Sequence, residues 1–218
     1  MFPTVIRALS VGCLKTLEIF FLTLAGSLPL GLVICFGSVS RFRPLRMITR
    51  FVIWVVRGTP LMLQLIIIYY GPGLMGFNIW GGNTGGRMAA TLFAFIFNYA
   101  CYFSEIYRGG IESIPKGQYE AGYVLGLTKS QVFRKIVLKQ VIKRIVPPMS
   151  NEIITLIKDT ALANCIMIPE IIKQAKELAA TKALIWPLFF TGVFYLLFVG
   201  LLTILLGKLE KKLSYFKD

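Results

Sequence analysis

Glu152, Thr155 and Asp159 are the residues of this chain that could do the most chemistry, because they stand in a stretch that is otherwise largely apolar and begins near Ile145. Ionisable groups inside a membrane segment are costly and default to a functional hypothesis. Glu152 and Asp159 lie seven positions apart, about two helical turns, so a helix carries both on one face with Thr155 nearly between them. Two carboxylates so placed suit a ligand bearing an ammonium or guanidinium group. Lys158 and Thr160 extend the polar run. The plainer reading is that Lys158 neutralises Asp159 while Arg57 or another cation neutralises Glu152. Gln64 and Asn98 are isolated polar residues in other apolar stretches. They are able to bond a ligand, and equally able to hold helices together.

Chemistry of other kinds is missing. There is no histidine, and none of the patterns G-x-x-x-x-G-K-[ST], G-x-S-x-G or H-E-x-x-H occurs. An enzyme is therefore not expected, no catalytic residue is assigned, and any uphill work must be driven by a partner. Cys13, Cys35, Cys101 and Cys165 are scattered through apolar surroundings without metal-ligand spacing, which predicts buried thiols and no metal site.

The elements that position these residues follow from composition. Of 218 residues, 56% are hydrophobic and 13% aromatic, more apolar surface than a soluble domain of this length can hide. Spanning a bilayer takes about 20 predominantly apolar residues. Residues 19–40, 61–86 and 183–207 meet that need without a charge, and 88–104 comes close, so this is an all-α integral membrane protein. The formal charge of +14 does not point to nucleic acid, because the cations flank the apolar runs. Arg41, Arg43, Arg46 and Arg50 fill the first loop, and Arg108, Lys116, Lys129, Arg134 and Lys135 follow the third run. Lys208, Lys211, Lys212 and Lys217 make the tail, whereas the glycine-rich loop 71–87 holds only Arg87. The positive-inside rule then puts the N-terminus outside and the C-terminus in the cytoplasm. That requires an odd number of spans, and five fits. The residues ahead of Cys13 make a poor signal peptide.

The first span is expected over 17–39 and the third over 88–104. The fourth starts near 145, with Pro147 and Pro148 in its first turn or at a bend, and the fifth covers 186–206. The second, 47–70, is interrupted by Arg57, Gly58, Thr59 and Pro60. Either Thr59 caps a new helix with Pro60 at its first position, or one helix runs through and Pro60 kinks it. Arg57 should sit near the cytoplasmic end, snorkelling or paired with a carboxylate. Residues 169–181 read as an amphipathic helix at the outer surface. The whole of 1–218 is one domain, with a cytoplasmic loop over about 112–140.

That loop is the most informative stretch. Pro115 and Gly117 break the preceding helix, and a short helix follows from Gln118 to Leu125. Gly126 stops it as a glycine cap. Thr128 and Gln131 have the spacing of a capping box. Ala121 and Gly122 permit close approach of another surface, and Glu120 offers a charge. These properties suit an ordinary helical hairpin and a docking loop equally.

The register of Glu120, Ala121, Gly122, Gly126, Ile136 and Leu138 resembles the EAA loop of bacterial ABC-importer permeases, E-A-A-x3-G-x9-I-x-L-P, with Gly122 in place of alanine and Lys139 in place of proline. Three further stretches resemble the polar amino-acid branch: Arg57 to Gln64 (R-G-T-P-L-L-x-Q), Glu105 to Ile111 (E-I-x-R-G-x-I), and Asn151-Glu152 with Lys158-Asp159-Thr160-Ala161-Leu162 (N-E-F-I…K-D-T-S-L). The resemblance implies a type I importer permease of the bacterial cytoplasmic (inner) membrane. It implies a coupling helix, with Gln118, Glu120, Ala121, Gly122 and Gly126 as contacts for an ATPase subunit. It also implies a second permease subunit, identical or similar, and an external substrate-binding protein. The chain itself would bind no cofactor, ATP and Mg residing on the ATPase pair. The expected substrate is a polar amino acid, with arginine, lysine or histidine favoured by the two carboxylates. A neutral or acidic amino acid such as glutamine or glutamate is the alternative. A passive channel would need no docking helix, and a membrane-anchored scaffold would not need so polar a fourth span.

Overall fold

Helix formation begins earlier than the apolar run alone suggests. The computed structural model describes residues 2–213, and among them every regular element is helical; Lys217 of the basic tail lies outside the described residues. The first helix, α1 (Phe2–Ser38), is 37 residues long, whereas a span from 17 was expected. Between 3 and 16 no proline follows Pro3 to break a helix, and of the charges that interrupt the apolar pattern Lys15 is paired, its Nζ lying 2.6 Å from Glu18. This early part has its own core, in which Val5 and Leu9 pack on Ile171, Ala175 and Leu178.

Residues 43–74 form two helices, α2 (Arg43–Gly58) and α3 (Leu61–Leu74). Their axes differ by 104° across the break, which rules out a single kinked helix. Pro60 precedes α3 as its cap residue and does not occupy its first position. The glycine-rich loop is shorter than read from its glycines, because α3 runs on to Leu74 and Trp80 Nε1 ties the loop back to the Ile68 carbonyl at 2.7 Å. Next comes α4 (Thr84–Glu112), longer at both ends than the expected span and started by Asn83, whose side chain accepts from the Gly86 N–H at 2.7 Å.

α1 and α4 lie together through glycines. A Cβ on Gly26 would come within 2.7 Å of Ile96, and one on Gly31 within 3.0 Å of the Ala100 carbonyl oxygen. Small residues at such positions let membrane helices approach closely where no hydrophobic force drives them together.

After the short helices α5 (Lys116–Val124) and α6 (Lys129–Val132) and a π-helical turn at Phe133–Val137, α7 (Leu138–Asp159) carries the polar run. α7 starts well before 145 and holds Pro147 and Pro148 inside it, so these prolines do not mark its first turn. A 3-10 segment, Thr160–Ile166, leads to α8 (Ile171–Lys182), and α9 (Trp186–Leu213) completes the chain. The apolar face of α8 does not lie free at a surface. It covers the start of α1 and contacts Trp186 and Phe194 of α9. The central core joins Ile19 and Phe20 of α1, Leu65 of α3, Phe95, Tyr99 and Phe103 of α4, and Leu156 and Ile157 of α7.

Among the described residues three helices are long and apolar enough to cross a membrane, Pro3–Ser38, Thr84–Glu112 and Trp186–Leu213, and α2 with α3 makes a fourth if the bent pair is one span. α7 does not qualify on apolarity, which is the physical consequence of the residues it presents.

Candidate functional site

The break between α2 and α3 creates a problem that a distant side chain solves. Proline has no N–H, so the carbonyl of Val56 loses its helical donor at Pro60. Gln64 Nε2 lies 2.7 Å from that carbonyl oxygen, 3.1 Å from the Thr59 carbonyl and 2.7 Å from Thr59 Oγ1. Its carbonyl end accepts from Asn98 Nδ2 at 3.0 Å. Gln64 thus re-satisfies the freed backbone, as helix breaks in lipid require. Replacing Gln64 by leucine is expected to lower the thermal unfolding midpoint of the detergent-solubilised protein. It strands the Asn98 amide, at about 1–3 kcal/mol, and leaves the Val56 carbonyl only the long 3.5 Å bond from Thr59 Oγ1. An unchanged midpoint would show that the break is held by something else.

The Gln64–Asn98 bond is the last of three rungs. Arg50 pairs with Glu112 at 3.7 Å and Arg57 with Glu105 at 3.6 Å. Residues 50, 57 and 64 and residues 98, 105 and 112 each recur at spacing seven, so both sides present a polar stripe to each other in antiparallel register. That shared spacing was a legible sequence signal for the pairing of Glu105 and Glu112, which the reading by motif left unused. Arg57 pairs with a carboxylate, and its guanidinium carbon sits 5.1 Å from the centre of the Tyr102 ring, within cation–π range.

Above this network lies a cavity of about 600 Å³, lined on one side by Arg57, Gly58, Thr59, Pro60 and the first residues of α3, and on the other by Glu152, Thr155 and Asp159, with Asn98, Tyr99 and Tyr102 of α4 between. The break lets the cavity exist: it turns α3 away and leaves the N–H groups of the first turn without intrahelical partners. Across from it, the seven-residue spacing on α7 brings Glu152 and Asp159 to one wall. Asp159 accepts from Tyr99 Oη at 2.7 Å, and Tyr99 is itself buried. Thr155 donates to the Asn151 carbonyl at 3.0 Å.

The neutralising pairs considered from sequence do not form. Among the described residues neither Glu152 nor Asp159 has an ion pair. Among these same residues Glu152 has no hydrogen-bond partner either. Lys158 is exposed and outside the cavity lining, and Thr160 is buried, donating to the Ile157 carbonyl at 2.6 Å. Gln64 is also outside the lining, its amide being spent on the break. Sequence reasoning missed Tyr99 and Tyr102. Their spacings from Asn98 and Glu105 on α4 were the only signal available. Among the described residues no group of three or more potential ligands stands where a metal ion could be held.

The loop over 112–140 folds by its local signals. Thr128 Oγ1 accepts from the Gln131 N–H at 3.3 Å and Gln131 Oε1 accepts from the Thr128 N–H at 2.8 Å, a complete capping box. Gly126 has φ +74°. Gln118, Glu120 and Ala121 are exposed, and Gln118 bonds Gln140 of α7 at 3.0 Å. Gly122 differs from expectation, because it is buried against the hairpin's own second arm, where a Cβ would lie 2.7 Å from Val132 Cγ2. It closes the hairpin and does not offer an outer contact. At the tip Val124 and Leu125 are 89% and 75% exposed, apolar side chains left uncovered by the described residues and not singled out from sequence.

Comparison with known proteins agrees with this architecture. A family model described as binding-protein-dependent transport system inner membrane component matches residues 27–215. The arginine transport system permease protein ArtQ of Bacillus subtilis (strain 168) is 37% identical over 214 residues, 97% of this chain and 93% of that protein. The L-cystine transport system permease protein TcyB of the same organism is 37% identical over 172 residues, 79% of this chain and 71% of that protein. Among solved structures, an amino acid ABC transporter with histidines superposes with a TM-score of 0.87 at 28% identity, over 97% of this chain and 96% of that one. The inward-facing MetNI methionine ABC transporter, at 17% identity, has a TM-score of 0.74 over 98% of this chain and 100% of that one, a likeness of fold alone. The chain therefore belongs to the family of binding-protein-dependent transport system inner membrane components, as a non-enzymatic permease subunit of an amino-acid ABC importer.

Proposed function

We propose that this permease passes a polar amino acid, preferentially a cationic one, through the cavity between the α2–α3 break and α7. One observation carries the preference: Glu152 and Asp159 share a cavity wall, and among the described residues neither forms an ion pair. Relatives are named for arginine, cystine and glutamine, which supports a polar amino-acid class and leaves a neutral substrate such as glutamine as the second reading. In this reading five helical units cross the bacterial inner membrane: α1, the broken pair α2–α3, α4, α7 and α9. The N-terminus is outside, the C-terminus is cytoplasmic, and 1–218 acts as one domain. Two permease subunits, identical or similar, associate with two ATPases carrying ATP and Mg, and an external substrate-binding protein delivers the amino acid. The hairpin at 116–137 docks in the ATPase through Gln118, Glu120, Ala121 and the Val124–Leu125 tip, with Gly122 and Gly126 setting its shape.

The test is recovery of the tagged permease with its ATPase in mild detergent, followed by binding of radiolabelled arginine, glutamine and cystine to that complex in lipid nanodiscs. Arginine held more tightly than glutamine is the expected result. A preference for glutamine selects the second reading, while a permease recovered without an ATPase favours a passive pore.

A further inference from the structure

Arg57 has an ionic neighbour but, among the described residues, no hydrogen-bond acceptor. Its nearest carboxylate, Glu105, is 3.6 Å away, beyond hydrogen-bonding distance, because Arg108 has taken both oxygens. Arg108 Nε donates to Oε1 at 2.9 Å and Nη2 to Oε2 at 2.6 Å, in the fork geometry that arginine favours. Arg57 therefore keeps an ionic attraction that positions it, and among the described residues none of its N–H donors has an acceptor. The Tyr102 ring at 5.1 Å lies against one face of the group. A planar fork of donors, positioned but unspent, lines the same cavity as Glu152 and Asp159. Unlike charges share one chamber and form no ion pair with each other across it.

From this we infer that Arg57 binds the α-carboxylate of the transported amino acid while Glu152 and Asp159 face its cationic groups, so that the cavity selects a molecule carrying both charges. The inference rests on the transport reading above and adds to it the residue that recognises the carboxylate. Arginine presents that fork to a carboxylate bidentately, which lysine cannot do. A structural role for Arg57, holding α2 on α4 through Glu105, would affect every ligand alike. Carboxylate recognition affects only ligands that carry one.

The permease–ATPase complex in nanodiscs, without the external binding protein, allows the two to be separated by competition against radiolabelled arginine. The competitors are arginine and argininamide, which differ in the α-carboxylate alone. In the wild-type complex the amide should compete about ten- to a hundredfold more weakly, the range of a charge-assisted pair. Arg57→Gln should bring arginine down to the level of the amide and leave the amide nearly unchanged, and Arg57→Lys should reduce the discrimination by several-fold. Equal loss of both ligands in Arg57→Gln overturns the inference in favour of a structural role. Should Arg57→Gln not assemble, the wild-type comparison decides, since equal binding of acid and amide excludes carboxylate recognition. Absence of any amino-acid binding sinks the transport reading itself and this inference with it; loss of the acid-over-amide preference sinks this inference alone.

Discussion

A Gly126→Pro permease is expected to reach the membrane and assemble normally, yet to show no substrate-stimulated ATP hydrolysis in proteoliposomes. Gly126 has φ +74°, a left-handed conformation that proline, locked near −65°, cannot adopt. Its N–H donates to the Tyr123 carbonyl at 2.9 Å, and the Leu127 N–H reaches the Gly122 carbonyl at 3.1 Å. These two bonds form a Schellman cap on α5. Proline deletes the first and swings the chain away from the second. The strain, about 3 kcal/mol or more by analogy with proline in a helix interior, falls on a hairpin whose second arm is only four residues of α6 before the π-helical turn. Insertion is spared because the hairpin lies outside the apolar helices. Gly126→Asn is the control, since asparagine tolerates the left-handed region, and it should keep most of the coupling. Full coupled hydrolysis in the proline variant would dismiss the hairpin as the link to the ATPase.

The second large effect is expected at Glu152. Glu152→Gln keeps shape and removes the charge, and should weaken arginine uptake about ten- to a hundredfold, the worth of a charge-assisted hydrogen bond. Glutamine uptake, if present, should change little. Glu152 is the better target of the two acids because among the described residues it has no hydrogen bond or ion pair, whereas Asp159 is held by Tyr99 at 2.7 Å and its loss would also leave a buried hydroxyl without its acceptor. Uptake measured side by side with the two radiolabelled amino acids reads the outcome. An equal loss for both would move Glu152 from substrate recognition to helix packing.

What the sequence determined by itself was everything governed by interactions within about two helical turns. The apolar runs and flanking cations marked a membrane chain. Gly126, Thr128 and Gln131 specified the turn and cap of the hairpin, since caps act across three or four residues. The spacing of Glu152, Thr155 and Asp159 placed them on one helix face, and the register from Glu120 to Leu138 resembled the family's docking loop. Only the tertiary structure decided which faces meet. The Arg57-Gly58-Thr59-Pro60 interruption was legible, but not its 104° turn or the bond between Gln64 and Asn98 beside it, across 34 positions. The small size of Gly122 was legible too, but its direction was set by Val132 on the other arm. Asp159 found Tyr99 across 60 positions, and α8 closed over the start of α1 some 155 positions away, through Thr16 and Ile171. Local rules fix backbone shape because the bonded partners are neighbours in the chain. Long-range partners are chosen by packing, where a glycine's missing Cβ or a proline's missing N–H matters only once another element lies against it.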